Sequence, residues 1–235
     1  MSAAAAAPVR RPRWIGVALV VPYAALVLAG IWVASRLSGS YLRAIVAVAV
    51  WIVVSALIAG KVVKTYAPAA RWPVRLTSLA IALGLVGWVA YSSLHTTVAH
   101  ERVAVGVPIS DVGRHAAVRI HRLPVQLLAG RFGELAEGSA AGRAAVVRLP
   151  NGSRVLTFTR FAVSNGPDLR VYLITADQEG RGSVSDPQDL GALKGSRGNQ
   201  QYAIPRGLDL HRYSRVLVYC RSFNVGFAGA TLRPS

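Results

Sequence analysis

The amino-terminal part of the chain is dominated by three long uncharged apolar stretches. They run from Trp14 to Ser35, from Ala44 to Gly60 and from Leu76 to Leu94. Crossing the hydrocarbon layer of a bilayer as a helix takes about 20 apolar residues, with a range of roughly 17 to 25. We therefore predict three transmembrane helices within residues 14–94, preceded by a short cytoplasmic segment at residues 1–13.

Two other interpretations of these stretches exist. The first stretch could be a cleaved signal peptide, although it is longer than a typical apolar signal core and two more stretches follow it. The stretches could also be core helices of a soluble protein, but they offer little amphipathic pattern to a water-facing surface. Membrane insertion fits the pattern best.

Basic residues in the flanks predict the orientation of the helices. Three lie before the first stretch and four between the second and the third, whereas two lie between the first and the second. Positively charged flanks stay in the cytoplasm. We expect a multi-pass protein of the cell membrane whose amino terminus is cytoplasmic and whose carboxy-terminal domain is extracytoplasmic.

The three stretches contain no Asp, Glu, Lys, Arg or His. Transporters and proton relays need such groups at membrane depth, so a transport function is not indicated. The helices are expected to be an anchor, with the lipid bilayer as their partner.

From Leu128 onward the pattern changes to short alternating runs separated by turn residues. In "AAVVRLPNGSRVLTFTRF", Asn151-Gly152 lies between two strand-like runs and predicts a β-hairpin. Short strands at this spacing, without a long helical pattern, are typical of an all-β antiparallel sandwich. We predict such a domain over residues 128–235. Residues 95–127 are a linker that either folds over the domain or lies on the membrane surface.

Charge divides the chain near residue 100. The formal net charge is +17, the first hundred residues contain no acid, and every acidic residue lies between Glu101 and Asp209. A basic surface suits anionic lipid or cell wall, and we expect no nucleic-acid partner outside the cell. The large excess of arginine over lysine is typical of a GC-rich bacterial genome.

Four segments of the carboxy-terminal part carry a family resemblance. They are "NGSRVLTF", "SNGPDLRVYL", "DLGALKGSRGNQQYAIP" and "SRVLVYCRSFNVGFAGATL". In this order they resemble the DM-thirteen domain, also called the electron-transfer DM domain, over about residues 128–232. The resemblance implies a β-rich extracytoplasmic domain with a redox role centred on Cys220. One departure is Tyr219, where the family often has Trp before the cysteine.

Cys220 is the only cysteine of the chain, so it cannot form an internal disulfide or a CxxC pair. Strand alternation puts it on one face with Val216 and Val218, which favours a small buried core residue. The alternatives are a redox-active thiol, a metal or haem ligand, and an intermolecular disulfide. Arg221 and Arg215 could lower its pKa if their side chains converged on it.

The sequence identifies no metal site and no cofactor. His211 is the only histidine within the family-like region, and its separation from Cys220 is no recognised ligand spacing. The glycine-rich run from Gly191 to Gln200 matches neither the P-loop nor the dinucleotide fingerprint. We expect a structural loop there, in which close backbone approach explains the glycines and Asn199 and Gln200 satisfy the backbone.

Two functions follow from the sequence. The first is a membrane-anchored extracytoplasmic domain with a role in electron transfer or thiol redox chemistry, centred on Cys220 and served by an extracytoplasmic redox partner protein. The second is a non-catalytic binding or structural module of the cell envelope in which Cys220 is buried.

Overall fold

The computed structural model describes residues 20–37, 41–66, 71–108, 123–135, 139–178 and 184–235. These residues form two compact units, one built from the apolar helices and one that contains the β-strands. The predicted segment 1–13, the start of the first predicted span and residues 109–122 of the predicted linker lie outside the described residues.

The helical unit contains α1 (Val20–Leu37), α2 (Tyr41–Tyr66) and α3 (Arg71–Leu94). Two of these helices are long and apolar enough to cross a membrane, over Leu42–Thr65 and Trp72–Ser92, whereas the apolar helix described for the first stretch is shorter, at Val20–Ala34. Leucine, valine and tryptophan side chains of all three helices are exposed. Such surfaces suit a lipid environment, in which apolar groups need no cover from protein.

Helices α1 and α2 touch where a small residue faces a large one. A Cβ atom at Gly30 would collide with the ring of Trp51, so glycine is needed for this approach. The indole Nε1 of Trp51 donates to the carbonyl oxygen of Val27 at 3.1 Å. An indole N–H in an apolar environment is costly unless it finds an acceptor, and this contact supplies one.

The other unit consists of two β-sheets. In chain order the strands are β1 (Val98–His100), β2 (Val107–Pro108), β3 (Val125–Arg131), β4 (Gly133–Glu134), β5 (Ala140–Arg148), β6 (Arg154–Val163), β7 (Leu169–Ile174), β8 (Gln188–Ala192), β9 (Arg197–Ile204), β10 (Arg215–Cys220), β11 (Val225–Thr231) and β12 (Arg233–Pro234). Among the described residues one sheet has the order β1-β9-β6-β5-β3-β12, with β2 also beside β3, and the other has the order β4-β11-β10-β7-β8.

Most neighbouring strands are antiparallel, as predicted, but two pairs are not. Strand β1 pairs with β9 in parallel, and β2 pairs with β3 in parallel. Strands β1 and β2 belong to the segment interpreted as a linker, and the described part of this segment folds onto the domain and adds to its larger sheet. An all-antiparallel domain was therefore wrong for these pairs, because long-range parallel pairing leaves no turn signal between the partners.

The predicted hairpin at Asn151-Gly152 joins β5 to β6. Gly152 N donates to the Leu149 oxygen, and Pro150 occupies the second position of this turn. Only Gly152, with φ of 77°, has the left-handed conformation, whereas the sequence suggested it for both residues of the pair. Pro150 fixes the backbone φ at the second position of this turn. The side-chain oxygen of Asn151 instead accepts the N–H of Ser153.

Inward-facing side chains of both sheets form one hydrophobic core, to which Phe158 and Val146 contribute from one sheet and Val171 and Val216 from the other. A second, smaller cluster lies on the opposite face of the five-stranded sheet. It comprises Tyr172, Ile174, Leu217 and Tyr219, against which Leu135 and Val184 pack. The central strand β10 is consequently buried on both faces.

Candidate functional site

Cys220 ends strand β10 and faces the main core. Val216, Val218 and Cys220 belong to this core, whereas Leu217 and Tyr219 belong to the second cluster, as strand alternation predicts. The exposed fraction of Cys220 is 0%. In the conformation described, the thiol is sealed from solvent.

Two loop segments meet at the sulfur atom. The Sγ–H group donates to the carbonyl oxygen of Pro167 at 2.8 Å. The backbone N–H groups of Ser222 and Phe223 point at the sulfur from the turn that joins β10 to β11. That turn ends at Asn224, whose φ of 52° is left-handed, a conformation that asparagine tolerates better than most residues. The thiol thus has polar backbone on two sides within an apolar core.

Burial dominates the proton affinity of this thiol. It raises the pKa of Cys220 to about 12 from the usual 9.0, with a further push from the negative charge of Asp168. The two backbone N–H groups of the turn oppose this shift, because they stabilise the thiolate, but burial outweighs them. At neutral pH the site holds a neutral, hydrogen-bonded thiol, not a nucleophile.

The arginines proposed as activating groups do not converge on Cys220. The Nε of Arg221 instead pairs with Oδ2 of Asp168 at 2.8 Å. Arg215 begins β10, five residues before Cys220, and at roughly 3.3 Å per residue the two ends lie about 17 Å apart. The activating role of these arginines is therefore not supported.

The structure does not bring His211 to Cys220. His211 is exposed, its backbone N–H donates to Asp209 Oδ1, and it precedes β10, at whose far end Cys220 lies. Within the described ranges, no three His, Cys, Asp or Glu residues lie together as a metal site would require. A site shared by these two residues is not formed.

The glycine-rich run from Gly191 to Gln200 is mostly strand and not the predicted loop, because it contains the end of β8, a four-residue connection and the start of β9. A Cβ at Gly195 or Gly198 would collide with the backbone of Ala99 in β1, so the glycines permit the parallel pairing of β1 and β9. The buried amide of Gln200 bonds both the N–H and the carbonyl oxygen of Gly195. Asn199 instead accepts the N–H of Arg160.

Sequence reasoning missed the backbone groups that surround the sulfur. The Pro167 carbonyl and the N–H groups of Ser222 and Phe223 exist whatever side chains stand there, so no residue pattern marks them. The turn residues of "SNGPDL" are a signal for the Pro167 side of the sulfur, whereas the turn at residues 221–224 lies in a stretch that the sequence predicted as strand.

Comparison with known proteins identifies the β-domain. Residues 131–232 match the family described as Electron transfer DM13, a range that extends from the last residue of β3 to just before β12 and includes Cys220. No curated protein and no solved structure matches the chain. The carboxy-terminal part of the chain therefore contains a domain of the Electron transfer DM13 family.

Proposed function

We propose that this protein is a membrane-anchored electron-transfer protein whose DM13 domain, folded as a β-sandwich, works outside the cytoplasm with Cys220 as its redox group. The observation that carries this proposal is the family match across residues 131–232, which contains the single cysteine. Three spans anchor the domain, and its partner is an extracytoplasmic redox protein.

The anchoring part rests on the helices. The apolar windows of α2 and α3 have the length of membrane spans, and few of their residues are buried within the protein. A core helix of a soluble protein would instead bury most of its apolar side chains. The distribution of basic residues supports a cytoplasmic amino terminus.

The chemistry open to Cys220 is limited by its being the only thiol. A disulfide can form only with another molecule: the Cys220 thiolate attacks a disulfide of the partner, a new S–S bond forms, and the second sulfur of the partner leaves as a thiolate. Attack requires a thiolate, so the turn at residues 221–224 has to open and admit solvent. The N–H groups of Ser222 and Phe223 would then stabilise the thiolate.

A second function has its own supporting observation. Cys220 is fully buried, packs in the main core and already uses its proton in a hydrogen bond to Pro167. These are the features of a structural cysteine. The competing proposal is a non-catalytic cell-envelope module that binds or braces a partner and leaves the thiol unused.

Thiol labelling of the full chain in non-ionic detergent separates the two functions. A pKa of about 12 instead of 9.0 lowers the thiolate fraction at pH 8, so labelling of the native chain should be about a thousandfold slower than in denaturant. The redox proposal expects this slow labelling to be insensitive to low urea concentrations, because local opening of the turn exposes the sulfur. The Cys220→Ala variant supplies the blank.

The structural function expects labelling that follows global unfolding. The same sample gives the visible spectrum and the metal content. A colourless, metal-free chain whose thiol reacts only when the domain unfolds would overturn the redox proposal while leaving membership of the DM13 family intact.

A further inference from the structure

A cavity of about 370 Å³ lies at the end of β10 that is remote from Cys220. It forms where two strand connections cross from one sheet to the other, at Phe132 between β3 and β4 and at Leu232 between β11 and β12. Both crossing residues are buried in the main core. Their neighbours in sequence, Arg131, Gly133, Thr231 and Arg233, line the cavity.

Small residues leave this space open on the outer face of the five-stranded sheet. Leu217 pairs with Gly229, and Gly229 pairs with Gly133, so two glycines follow one another across the sheet. The side chain of Leu135 is the nearest described group over Gly229. Among the described residues a Cβ at Gly133 would meet no atom within 4 Å, so this position offers space on the sheet face.

Arg215 enters the cavity with an unsatisfied donor. It stands opposite Thr231 on the face that carries Leu217 and Tyr219, a face that is otherwise apolar. Its Nη1 donates to the Gln178 carbonyl oxygen at 3.0 Å, but its Nε is buried and meets no acceptor among the described residues. A buried N–H without a partner is costly, and such groups call for a ligand or a function.

The described residues around this arginine carry a net positive charge. Arg131, Arg215 and Arg233 line the cavity together with one acid, Glu134. In the described part of the chain, none of the three guanidinium groups forms an ion pair within 4.0 Å, whereas Arg170, Arg212 and Arg221 each have a carboxylate partner. Among the described residues the cavity thus has three arginines against one acid.

We propose that this cavity binds a small oxyanion of the phosphate type. A guanidinium binds an oxyanion through its charged N–H groups, and among the described residues Gln178 is the acceptor for only one nitrogen of Arg215, Nη1. Arg131 and Arg233 supply further charge, and the Thr231 hydroxyl is a further donor at the rim. A cavity of this volume lies within the usual range for small-molecule sites.

Calorimetric titration of inorganic phosphate into the full chain in non-ionic detergent, at ionic strength held constant with sodium chloride, tests this site. Saturable binding by the wild type is expected. The Arg215→Gln variant should weaken it about tenfold or more, because the bond to a charged donor is lost. Arg233→Gln should weaken it several-fold, and it changes an exposed residue.

The matched control is Arg148→Gln, which removes one exposed arginine at the end of β5, outside the cavity. It should bind phosphate as the wild type does. Absence of saturable binding by the wild type, or equal weakening by Arg148→Gln and Arg233→Gln, would overturn the proposal. If Arg215→Gln fails to fold, Arg233→Gln and Arg131→Gln carry the comparison.

The oxyanion can come from a soluble phosphate compound or from a lipid headgroup, and the membrane composition distinguishes them. The same titration is run in nanodiscs of neutral lipid and in nanodiscs that contain anionic phospholipid. Equal phosphate affinity in both indicates a soluble ligand, and weaker apparent affinity with anionic phospholipid indicates that headgroups compete for the cavity. Neither result bears on Cys220, so the site and the proposed redox function fail independently.

Discussion

The two ends of strand β10 bury polar groups in opposite ways. At one end Cys220 has no exposed surface, and its single proton is used in a hydrogen bond to Pro167. At the other end one nitrogen of the Arg215 guanidinium donates to Gln178, whereas its Nε has no acceptor among the described residues. The buried polar group at one end of β10 therefore has its hydrogen bond, whereas a buried N–H at the other end has no acceptor among the described residues.

This difference shows that burial alone does not identify a functional residue. Burial of a neutral group costs little once its hydrogen bond is formed. A charged group that has an unsatisfied donor and lines a cavity is stabilised further when a ligand binds. The family match indicates a function for Cys220, and the unsatisfied donor indicates one for Arg215. Three measurements test how far the two ends really differ.

The largest expected effect is a loss of stability in alkali that depends on Cys220. The folded state holds the thiol proton more tightly than the unfolded state, so this contribution is complete below about pH 9 and disappears as the pH rises toward 12. Between pH 8 and pH 10.5 the free energy of unfolding should fall by about 2 kcal/mol more in the wild type than in Cys220→Ala.

Urea denaturation of both chains in detergent, followed by circular dichroism of the β-domain, measures this difference. The comparison between variants is needed because burial also raises the pKa of Tyr202, to about 12, and its slope is common to both chains. Parallel pH profiles for wild type and Cys220→Ala would mean that the thiol is solvated and that the contrast between the two ends of β10 does not hold.

A smaller effect is expected from Asp168→Asn. Asparagine tolerates the left-handed φ of 51° at this position, but the variant loses the charge that raises the pKa of Cys220. The thiol should label several-fold faster in mild alkali, with its pH profile displaced to lower pH. Asp189→Asn is the control, since it breaks the ion pair to Arg170 without removing a charge that acts on Cys220.

Breaking the ion pair between Asp168 and Arg221 could also loosen the turn, and the pH profile separates the two causes. A lower pKa displaces the profile along the pH axis, whereas easier opening raises the labelling rate equally at every pH. Global stability should change by about 1 kcal/mol or less, because both partners of the pair are partly exposed.

The sequence predicted the direction of Cys220 but not its surroundings. A period of two along "SRVLVYC" was enough to place Val216, Val218 and Cys220 on one face, because side-chain direction in a strand is a local property. Pro167, which accepts the thiol proton, is 53 residues away in sequence. Contacts at such separations depend on the sheet order, which a single sequence does not specify.

The same limit explains the parallel strands and the cavity. Strand β1 has only three residues, and its partner Gly198 lies about a hundred positions further along the chain. For Arg215 the sequence did contain a signal, because strand alternation puts this charged residue on the same face as Leu217 and Tyr219. That signal indicates a cavity only when the positions of Gln178 and of the glycines on the neighbouring strands are known. The apolar helices were predictable because their signal is composition rather than contact.

The smallest expected change in stability belongs to Arg215→Met, and it completes the comparison. Methionine keeps the length and apolar contacts of the stem but removes a half-buried guanidinium that is only partly hydrogen-bonded. The lost bond to Gln178 and the relieved burial of Nε should offset one another, so the free energy of unfolding should change by less than about 1 kcal/mol. Leu217→Ala, on the same face of the same strand, should cost about 2 to 5 kcal/mol.

If Arg215→Met destabilises the domain as strongly as Leu217→Ala, the arginine is a structural element like Cys220, and the two ends of β10 do not differ. If stability is kept while phosphate binding is lost, Arg215 is held in the fold for its ligand.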